Sequence, residues 1–318
     1  MTVSDLSYLQ ATVIGLLQGA SELFPVSSLG HSVLVPALIG GSWQHLVTES
    51  ASRTSETSPY LAFIVALHVA TAVALLIFFR SDWVRIIGGF IESVRRRRVE
   101  TSAQRLAWLI VVATIPVGVT GLLLEHVFRT LFAKPLAAAI LLTVNGGILL
   151  AGERLRSQSD ERAARVTDGV DPGAGDASGR GGGLVVTQHR SLDRLAYREA
   201  AVVGLFQTLA LLAGISRSGI TMVAGLLRGL DHDDAARFSF LLATPVILAA
   251  GVLKLPSLAG SAGDGIRGQV LVGSLVAGVA AYLTVRFLVR YFQTRTLIPF
   301  AVYCLVAGAL CTLRFAVG

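Results

Sequence analysis

Three ionisable side chains in otherwise apolar stretches of the chain could carry out chemistry. Glu22 and His31 flank one polar turn, and Arg217 lies in a second turn that is rich in glycine. Placing such a group at the depth of a bilayer costs on the order of 3 kcal/mol or more. One interpretation is that the three side chains pair only to hold the turns together. We favour a functional site, because ionisable residues inside membrane segments usually bind or catalyse.

The residues around Arg217 suit a ligand that carries phosphate. Its guanidinium offers a planar fork of donors that matches phosphate oxygens. Glycines let backbone N–H groups approach a ligand closely, and a helix that starts after the turn points its positive dipole end at an anion. The second turn supplies Gly214, Ser216, Ser218, Gly219 and Thr221, and the first supplies Ser27, Ser28 and Gly30. Together the two turns predict a site for a polyanion.

Catalysis would fall to the first turn. His31 can donate or accept a proton near neutral pH. Glu22 could orient that histidine, accept a proton, or help to hold a divalent cation that screens a diphosphate. A hydroxyl of Ser27 or Ser28 could attack phosphorus with His31 as its base. Alternatively, water attacks and the serines only bind, and the sequence leaves both schemes open.

Other polar residues within apolar runs favour structural roles. His68 predicts a helix contact, with the cavity lining as the alternative, and Asn145 predicts an interhelical contact. Gln18 and Gln207 predict hydrogen bonds to backbone near the cavity. Residues 231–234 could bind a metal, but the start of a solvated helix is favoured.

The elements that position these residues are membrane helices. Of the 318 residues, 53% are hydrophobic and 15% are charged, with a mean hydropathy of +0.68. Soluble domains carry roughly 25% charged residues. Apolar runs near the ~20 residues that cross a bilayer predict six spans. These are 60–80, 106–125, 135–152, 238–256, 269–289 and 297–316.

Two further apolar stretches, 8–41 and 198–229, are each interrupted by one of the polar turns, which predicts re-entrant helical hairpins. A shift of 189 residues aligns 15–40 with 204–229 and pairs Gln18 with Gln207 and Ser27 with Ser216. The sequence therefore predicts an all-α membrane protein built as an inverted repeat. Its parts are a first repeat, 1–152, a disordered cytoplasmic loop, 153–197, and a second repeat, 198–318.

The basic residues predict the orientation. The net charge is +7, but Lys and Arg lie between the apolar runs, without a basic stripe that would suit nucleic acid. If the first hairpin enters from outside, 20 of the 27 Lys and Arg fall inside, six fall outside, and Arg217 belongs to the turn. This bias predicts that both termini lie outside. The Gly-rich segment 157–190 has no apolar periodicity, so we expect disorder there.

The two turns resemble the signatures of the undecaprenyl-diphosphatase family of bacterial inner membranes, also called the bacitracin-resistance protein family. Pro25-Val26-Ser27-Ser28-Leu29-Gly30-His31, preceded by Gln18 and Glu22, is similar to the first motif. Gly214-Ile215-Ser216-Arg217-Ser218-Gly219-Ile220-Thr221 is similar to the second. The resemblance covers most of the chain. Gln18 stands where many members have Glu, which leaves any metal role of that pair to Glu22.

The resemblance implies six spans and four re-entrant half-helices, often in a homodimer. It implies hydrolysis of undecaprenyl diphosphate to the monophosphate on the outer face, which recycles the carrier for peptidoglycan synthesis and gives bacitracin resistance. A divalent cation, Mg²⁺ or Ca²⁺, is implied as a requirement. Glu22, Ser28, His31 and Arg217 match the positions tied to activity, with Ser27 among the supports. The alternative is a lipid-phosphate transporter or flippase, because inverted repeats are typical of transporters.

Overall fold

The computed structural model describes residues 6–52, 59–123, 134–168, 191–254 and 263–317, together with residues 256 and 260. Within these ranges every regular element is a helix, which confirms the predicted all-α class. In chain order the α-helices are α1 (Tyr8–Ser21), α2 (Ser28–Ile39), α3 (Gly41–Ser52), α4 (Pro59–Phe78), α5 (Arg80–Arg96), α6 (Ser102–Leu123), α7 (Pro135–Asp168), α8 (Tyr197–Thr208), α9 (Arg217–Leu226), α10 (His232–Lys254), α11 (Arg267–Tyr291) and α12 (Ile298–Val317).

Six of these helices are long and apolar enough to cross a bilayer, which confirms the predicted polytopic membrane protein. They are α4, α6, the Pro135–Ser159 part of α7, α10, α11 and α12. Large aliphatic side chains on them remain exposed, such as Leu275 at 62% and Leu310 at 62%. Such a surface suits contact with lipid chains rather than water.

Two pairs of shorter helices fold back at the polar turns. In the first pair α1 contacts α2, and the chain between them, residues 22–27, is called tip 1 below. In the second pair α8 continues as a 3-10 turn, Leu209–Leu211, before tip 2, residues 212–216, leads into α9. These pairs occupy the two segments for which the sequence predicts re-entrant hairpins.

The first helix of each short pair packs closely on a long helix of the other half of the chain. Gly15 of α1 lies directly against the backbone of Gly273 in α11, and Gly204 of α8 lies directly against the backbone of Ala113 in α6. Gly15 and Gly204 are partners in the sequence repeat. Small residues allow such close helix approach in membranes. Because a helix of each half packs against a helix of the other half, both tips lie in the interior, between the two halves.

The structure corrects the predicted disordered loop at 153–197. Helix α7 continues to Asp168, well beyond the predicted span end at 152, and a 3-10 turn occupies Leu192–Arg194. Each residue added to an existing helix gains one hydrogen bond without a new nucleation cost, and Glu153, Arg154 and Arg156 have good helix propensity. Most of the Gly-rich segment, 169–190, lies outside the described residues. A second addition is α5, within the connection 80–105.

Candidate active site

The two tips begin their helices in the same way. Ser27 caps α2, and its Oγ accepts a hydrogen bond from Gly30 N at 3.2 Å. Ser216 caps α9, and its Oγ accepts from Gly219 N, also at 3.2 Å. A serine cap satisfies one of the free N–H groups at a helix start. The N-termini of α2 and α9 therefore both open at a tip, where their dipoles favour an anion.

Direct contacts join the tips. Ser27 Oγ accepts a second hydrogen bond from Gly214 N at 3.1 Å, and Ser218 Oγ donates to the Phe24 carbonyl oxygen at 3.2 Å. A Cβ on Gly30 would lie 3.1 Å from Gly214 Cα, which shows how closely the two backbones approach. Ser27 has φ 69°, a left-handed conformation that is costly for a residue other than glycine. The surrounding bonds hold it there.

Asn145 of α7 binds both tips at once. Its side chain is fully buried, and Nδ2 donates to the Pro25 carbonyl oxygen at 3.1 Å. Its Oδ1 accepts from Ser216 N at 2.9 Å. The interhelical contact predicted for Asn145 is therefore a bridge from α7 to two backbone groups that would otherwise be buried without partners.

Glu22 lies at the centre of a cluster of polar side chains. Its Oε1 accepts from Arg217 Nη2 at 2.5 Å. Its Oε2 accepts from Ser28 Oγ at 2.5 Å and from Gln18 Nε2 at 2.9 Å. The side chain of Glu22 is 4% exposed and that of Arg217 is 14% exposed. Four of the predicted site residues are thus brought into one cluster that spans both tips.

His68 of α4 joins this cluster. Its Nδ1 lies 2.8 Å from the Ile64 carbonyl oxygen, which can only accept, so Nδ1 carries a hydrogen. Its Nε2 lies 3.3 Å from Glu22 Oε2. That contact is favourable only if a proton lies between the imidazole and the carboxylate. Of the two sequence interpretations of His68, the cavity lining agrees with this position.

His31 has a fixed tautomer and an unexpected neighbour. Its Nδ1 lies 2.7 Å from the Ser27 carbonyl oxygen, and its Nε2 lies 2.7 Å from Tyr303 Oη. The hydrogen on Nδ1 leaves Nε2 of the neutral ring as an acceptor. The Tyr303 ring also stacks on the imidazole, with centroids 5.7 Å apart and an interplanar angle of 13°. Tyr303, on α12, gave no signal in the sequence because it is one aromatic residue in an apolar span.

The hydroxyls of Ser27 and Ser28 do not bind His31, which the sequence predicts as the base for a serine nucleophile. Ser28 Oγ donates to Glu22, and Ser27 Oγ accepts two backbone N–H groups. The hydrogen bonds of His31 go to the carbonyl oxygen of Ser27 and to Tyr303. In this state Ser28 is paired with a carboxylate, and the imidazole is paired with neither serine hydroxyl.

The hydroxyls of the second turn bind protein groups. Ser216 Oγ and Ser218 Oγ lie 3.0 Å apart, and Thr221 Oγ1 donates to the Arg217 carbonyl oxygen at 2.6 Å. All three residues are buried, so their hydroxyls need partners inside the protein. Gly219 is closely packed, since a Cβ there would lie 2.9 Å from Leu149 Cδ2 and 3.1 Å from Pro25 Cβ. These residues, which the sequence predicts as ligand contacts, form the end of tip 2 and the first turn of α9, and Arg217 is the member that faces the cluster.

The region after α9 forms a helix start, as the sequence favours. Asp231 Oδ1 accepts from Asp234 N at 2.7 Å at the beginning of α10, and His232 Nε2 lies 2.8 Å from Glu153 Oε1. Gln207 is buried, and neither its Nε2 nor its Oε1 has a hydrogen-bond partner among the described residues, so its predicted backbone bond is not observed.

Comparison with known proteins gives consistent matches over the whole chain. The profile of the family described as "Bacitracin resistance protein BacA" matches residues 11–310. The chain is 71% identical to "Undecaprenyl-diphosphatase 2" of Frankia alni, covering 98% of this chain and 99% of that protein. It is 59% identical to "Undecaprenyl-diphosphatase" of Mycobacterium avium, with 96% of each covered. It is 42% identical to "Undecaprenyl-diphosphatase" of Granulibacter bethesdensis, covering 99% and 100%.

Proposed function

This chain belongs to the family of the bacitracin resistance protein BacA, and we propose that it hydrolyses undecaprenyl diphosphate to undecaprenyl phosphate and inorganic phosphate. The reaction regenerates the lipid carrier used in peptidoglycan synthesis. It also accounts for bacitracin resistance, since hydrolysis removes the diphosphate that the antibiotic sequesters.

The observation that carries this proposal is the contact between Glu22 of tip 1 and Arg217, the residue that begins α9 directly after tip 2. Arg217 is the first residue of α9, and its partner Glu22 also binds Ser28, the first residue of α2. Backbone N–H groups at helix starts and a guanidinium are the groups that bind phosphate oxygens. In this arrangement Arg217 binds the Glu22 carboxylate when no substrate is present. A diphosphate carries more negative charge than the carboxylate and would take over the guanidinium.

The chemistry requires an attacking oxygen, a proton acceptor and stabilisation of charge. An oxygen nucleophile forms a bond to the terminal phosphorus while the bond from that phosphorus to the bridging oxygen breaks, and undecaprenyl phosphate leaves. Arg217 and the helix N-termini stabilise the negative charge that spreads over the phosphoryl oxygens. His31 Nε2 accepts the proton of an attacking water once it exchanges Tyr303 for that water. In the alternative scheme Ser28 Oγ attacks and passes its proton to Glu22, and water then hydrolyses the phosphoserine to release inorganic phosphate.

The cluster around Glu22 fits a divalent cation that arrives with the substrate. Among the described residues no group of three His, Cys, Asp or Glu side chains forms a complete metal site. Gln18 Oε1, however, is buried without a hydrogen-bond partner in the described part of the chain, next to the Glu22 carboxylate. Mg²⁺ is commonly held by one or two carboxylates plus substrate phosphates, so Glu22 and Gln18 would hold it. The cation would neutralise charge on the diphosphate.

The location and assembly follow from the charge pattern and the family. We place the protein in the bacterial cell membrane with both termini outside and the site open to the outer face, which the distribution of Lys and Arg supports. The inverted orientation of the two repeats is part of the same proposal. The homodimer implied by the resemblance is a prediction that the mass of the purified protein in nanodiscs would test.

Phosphate release from undecaprenyl diphosphate by the purified protein in detergent tests the function. We expect release by the wild type and by Arg98→Ala, a control at an exposed arginine outside the cluster. We expect loss of release in His31→Ala and Arg217→Ala variants that keep the wild-type elution profile. A chelator should reduce wild-type release if a cation takes part. Wild-type protein that moves labelled lipid across vesicles but releases no phosphate would instead support the transporter.

A further inference from the structure

A basic cavity lies at the C-terminal end of α11, outside the cluster around Glu22. Its volume is about 450 Å³, and three guanidinium groups line it, those of Arg286, Arg290 and Arg295. It is far larger than a single phosphate group needs. Because α11 is one of the six candidate spans, this end of the helix lies where a bilayer meets water.

The three arginines have no carboxylate partner among the described residues. Within the described part of the chain no carboxylate lies within 4.0 Å of any of them, whereas Arg237 and Arg217 each bind a carboxylate. Arginines placed only to set membrane orientation need not converge on one cavity. Three unpaired guanidiniums around a single concave surface produce a positive potential that favours a phosphate.

The lining of the cavity also includes aromatic rings and hydroxyl groups. Phe287 and Tyr291 line it, with ring centroids 5.6 Å apart, and Thr294 adds a hydroxyl. Phe287 also packs on Phe24 of tip 1, with centroids 6.1 Å apart. Aromatic rings at the interface combine an apolar body with polar groups nearby, which suits the junction between a lipid headgroup and its chains.

An exposed apolar stripe on α11 leads into the cavity. Leu275, Val279, Leu283 and Phe287 follow at intervals of four residues and are 62%, 62%, 58% and 51% exposed. Side chains four apart lie on one helix face. Leu283 and Phe287 also line the cavity, so the stripe and the arginines form one continuous surface.

We propose that this cavity binds the headgroup of an anionic glycerophospholipid of the surrounding membrane, with its acyl chains along the stripe on α11. Basic pockets at the ends of membrane helices bind phosphate headgroups in this way. A polyprenyl monophosphate presents the same phosphate chemistry, but the cavity is large enough for a phosphate together with its glycerol groups. The site differs from the diphosphate site and does not depend on hydrolysis.

Native mass spectrometry of the full-length protein in detergent tests the site, with dioleoylphosphatidylglycerol as the probe. The triple variant Arg286→Gln/Arg290→Gln/Arg295→Gln should raise the apparent Kd of the tightest-bound molecule by about tenfold or more. The matched control is Arg95→Gln/Arg97→Gln/Arg98→Gln, which removes the same charge from exposed arginines at the end of α5. We expect the control to retain the wild-type Kd.

Two further lipids test which headgroup the cavity prefers. Dioleoylphosphatidylcholine, which has no net charge, should bind the wild type more weakly than the glycerol lipid. Three results would overturn the proposal: equal loss in both triple variants, equal binding of the two phospholipids, or retention of undecaprenyl monophosphate in preference to phosphatidylglycerol. If the triple variant fails to fold, Thr294→Trp can replace it. The larger side chain fills the cavity, so it should weaken phosphatidylglycerol binding and leave phosphate release unchanged.

Discussion

The Glu22 carboxylate accepts a 2.5 Å hydrogen bond from the Arg217 guanidinium, although the two residues are 195 positions apart in the chain. The pair joins two tips that come from different halves of the molecule. Both side chains are largely buried, at 4% and 14% exposure. A buried ion pair is costly to break by removing one partner, because the other charge is left without compensation.

This pair allows stability to be separated from activity. Arg217→Gln should lower kcat/KM for undecaprenyl diphosphate by about 100-fold or more, because preorganised donors of this kind contribute that much to charge stabilisation. It should also lower the apparent Tm, since Glu22 loses its partner. The double variant Glu22→Gln/Arg217→Gln should regain most of the Tm but none of the activity. Recovery of phosphate release in the double variant would show that the pair has only a structural role.

His68 should contribute to activity through Glu22. His68→Leu removes the imidazole nitrogen that lies 3.3 Å from Glu22 Oε2, and taking a partner away from a buried polar group costs roughly 1–3 kcal/mol. We therefore expect kcat/KM to fall by about 10-fold to 100-fold, with partial rescue in His68→Gln, whose amide can donate. His45→Leu, at an exposed histidine of α3, is the control. Equal activity of His68→Leu and His68→Gln would contradict this role.

The hydroxyl of Tyr303 should matter less than the imidazole with which it bonds. Tyr303→Phe keeps the stacked ring and removes one neutral hydrogen bond to His31 Nε2. Such a bond contributes about 0.5–1.5 kcal/mol, so kcat/KM should change by no more than about tenfold. His31→Ala should abolish release under the same conditions. If Tyr303→Phe is as inactive as His31→Ala, the hydroxyl itself takes part in proton transfer.

Gly214 should tolerate no side chain. Its φ is 113°, and a Cβ would lie 2.5 Å from the Ala138 carbonyl oxygen. Gly214→Ala should destabilise the protein by about 2 kcal/mol or more and reduce phosphate release. Gly118→Ala is the matched control, because that position in α6 has nothing within 4 Å of a Cβ. Thermal unfolding in detergent should show a lower apparent Tm for the first variant, and unchanged values for both would refute the argument.

The architecture and the polar cluster were accessible from sequence for different reasons. Spans follow from apolar runs of a set length, and Glu22 and Arg217 were conspicuous because charge is rare inside a membrane. Helix ends were less predictable, as the extension of α7 to Asp168 illustrates. Nothing in an apolar run of residues indicates where a helix ends once it reaches water.

Residue types alone do not indicate which polar side chains of the turns face a ligand and which bind other protein groups. Ser216, Ser218 and Thr221 were proposed as ligand contacts, yet burial directs their hydroxyls to protein groups. His68 and Tyr303 approach the site from α4 and α12, and such approach depends on how the helices pack. A hydroxyl in a motif therefore predicts polarity at a site without telling whether it faces the ligand.

Asn145 and the bond from Gly214 N to Ser27 Oγ restrict how this protein can move. Alternating access in transporters separates or rocks one repeat against the other, and here every such cycle would break the two buried hydrogen bonds that join the repeats, from Gly214 N to Ser27 Oγ and from Ser216 N to Asn145 Oδ1. Any route for a lipid from one leaflet to the other would have to run around this junction. Hydrolysis at the joined tips does not require the repeats to separate.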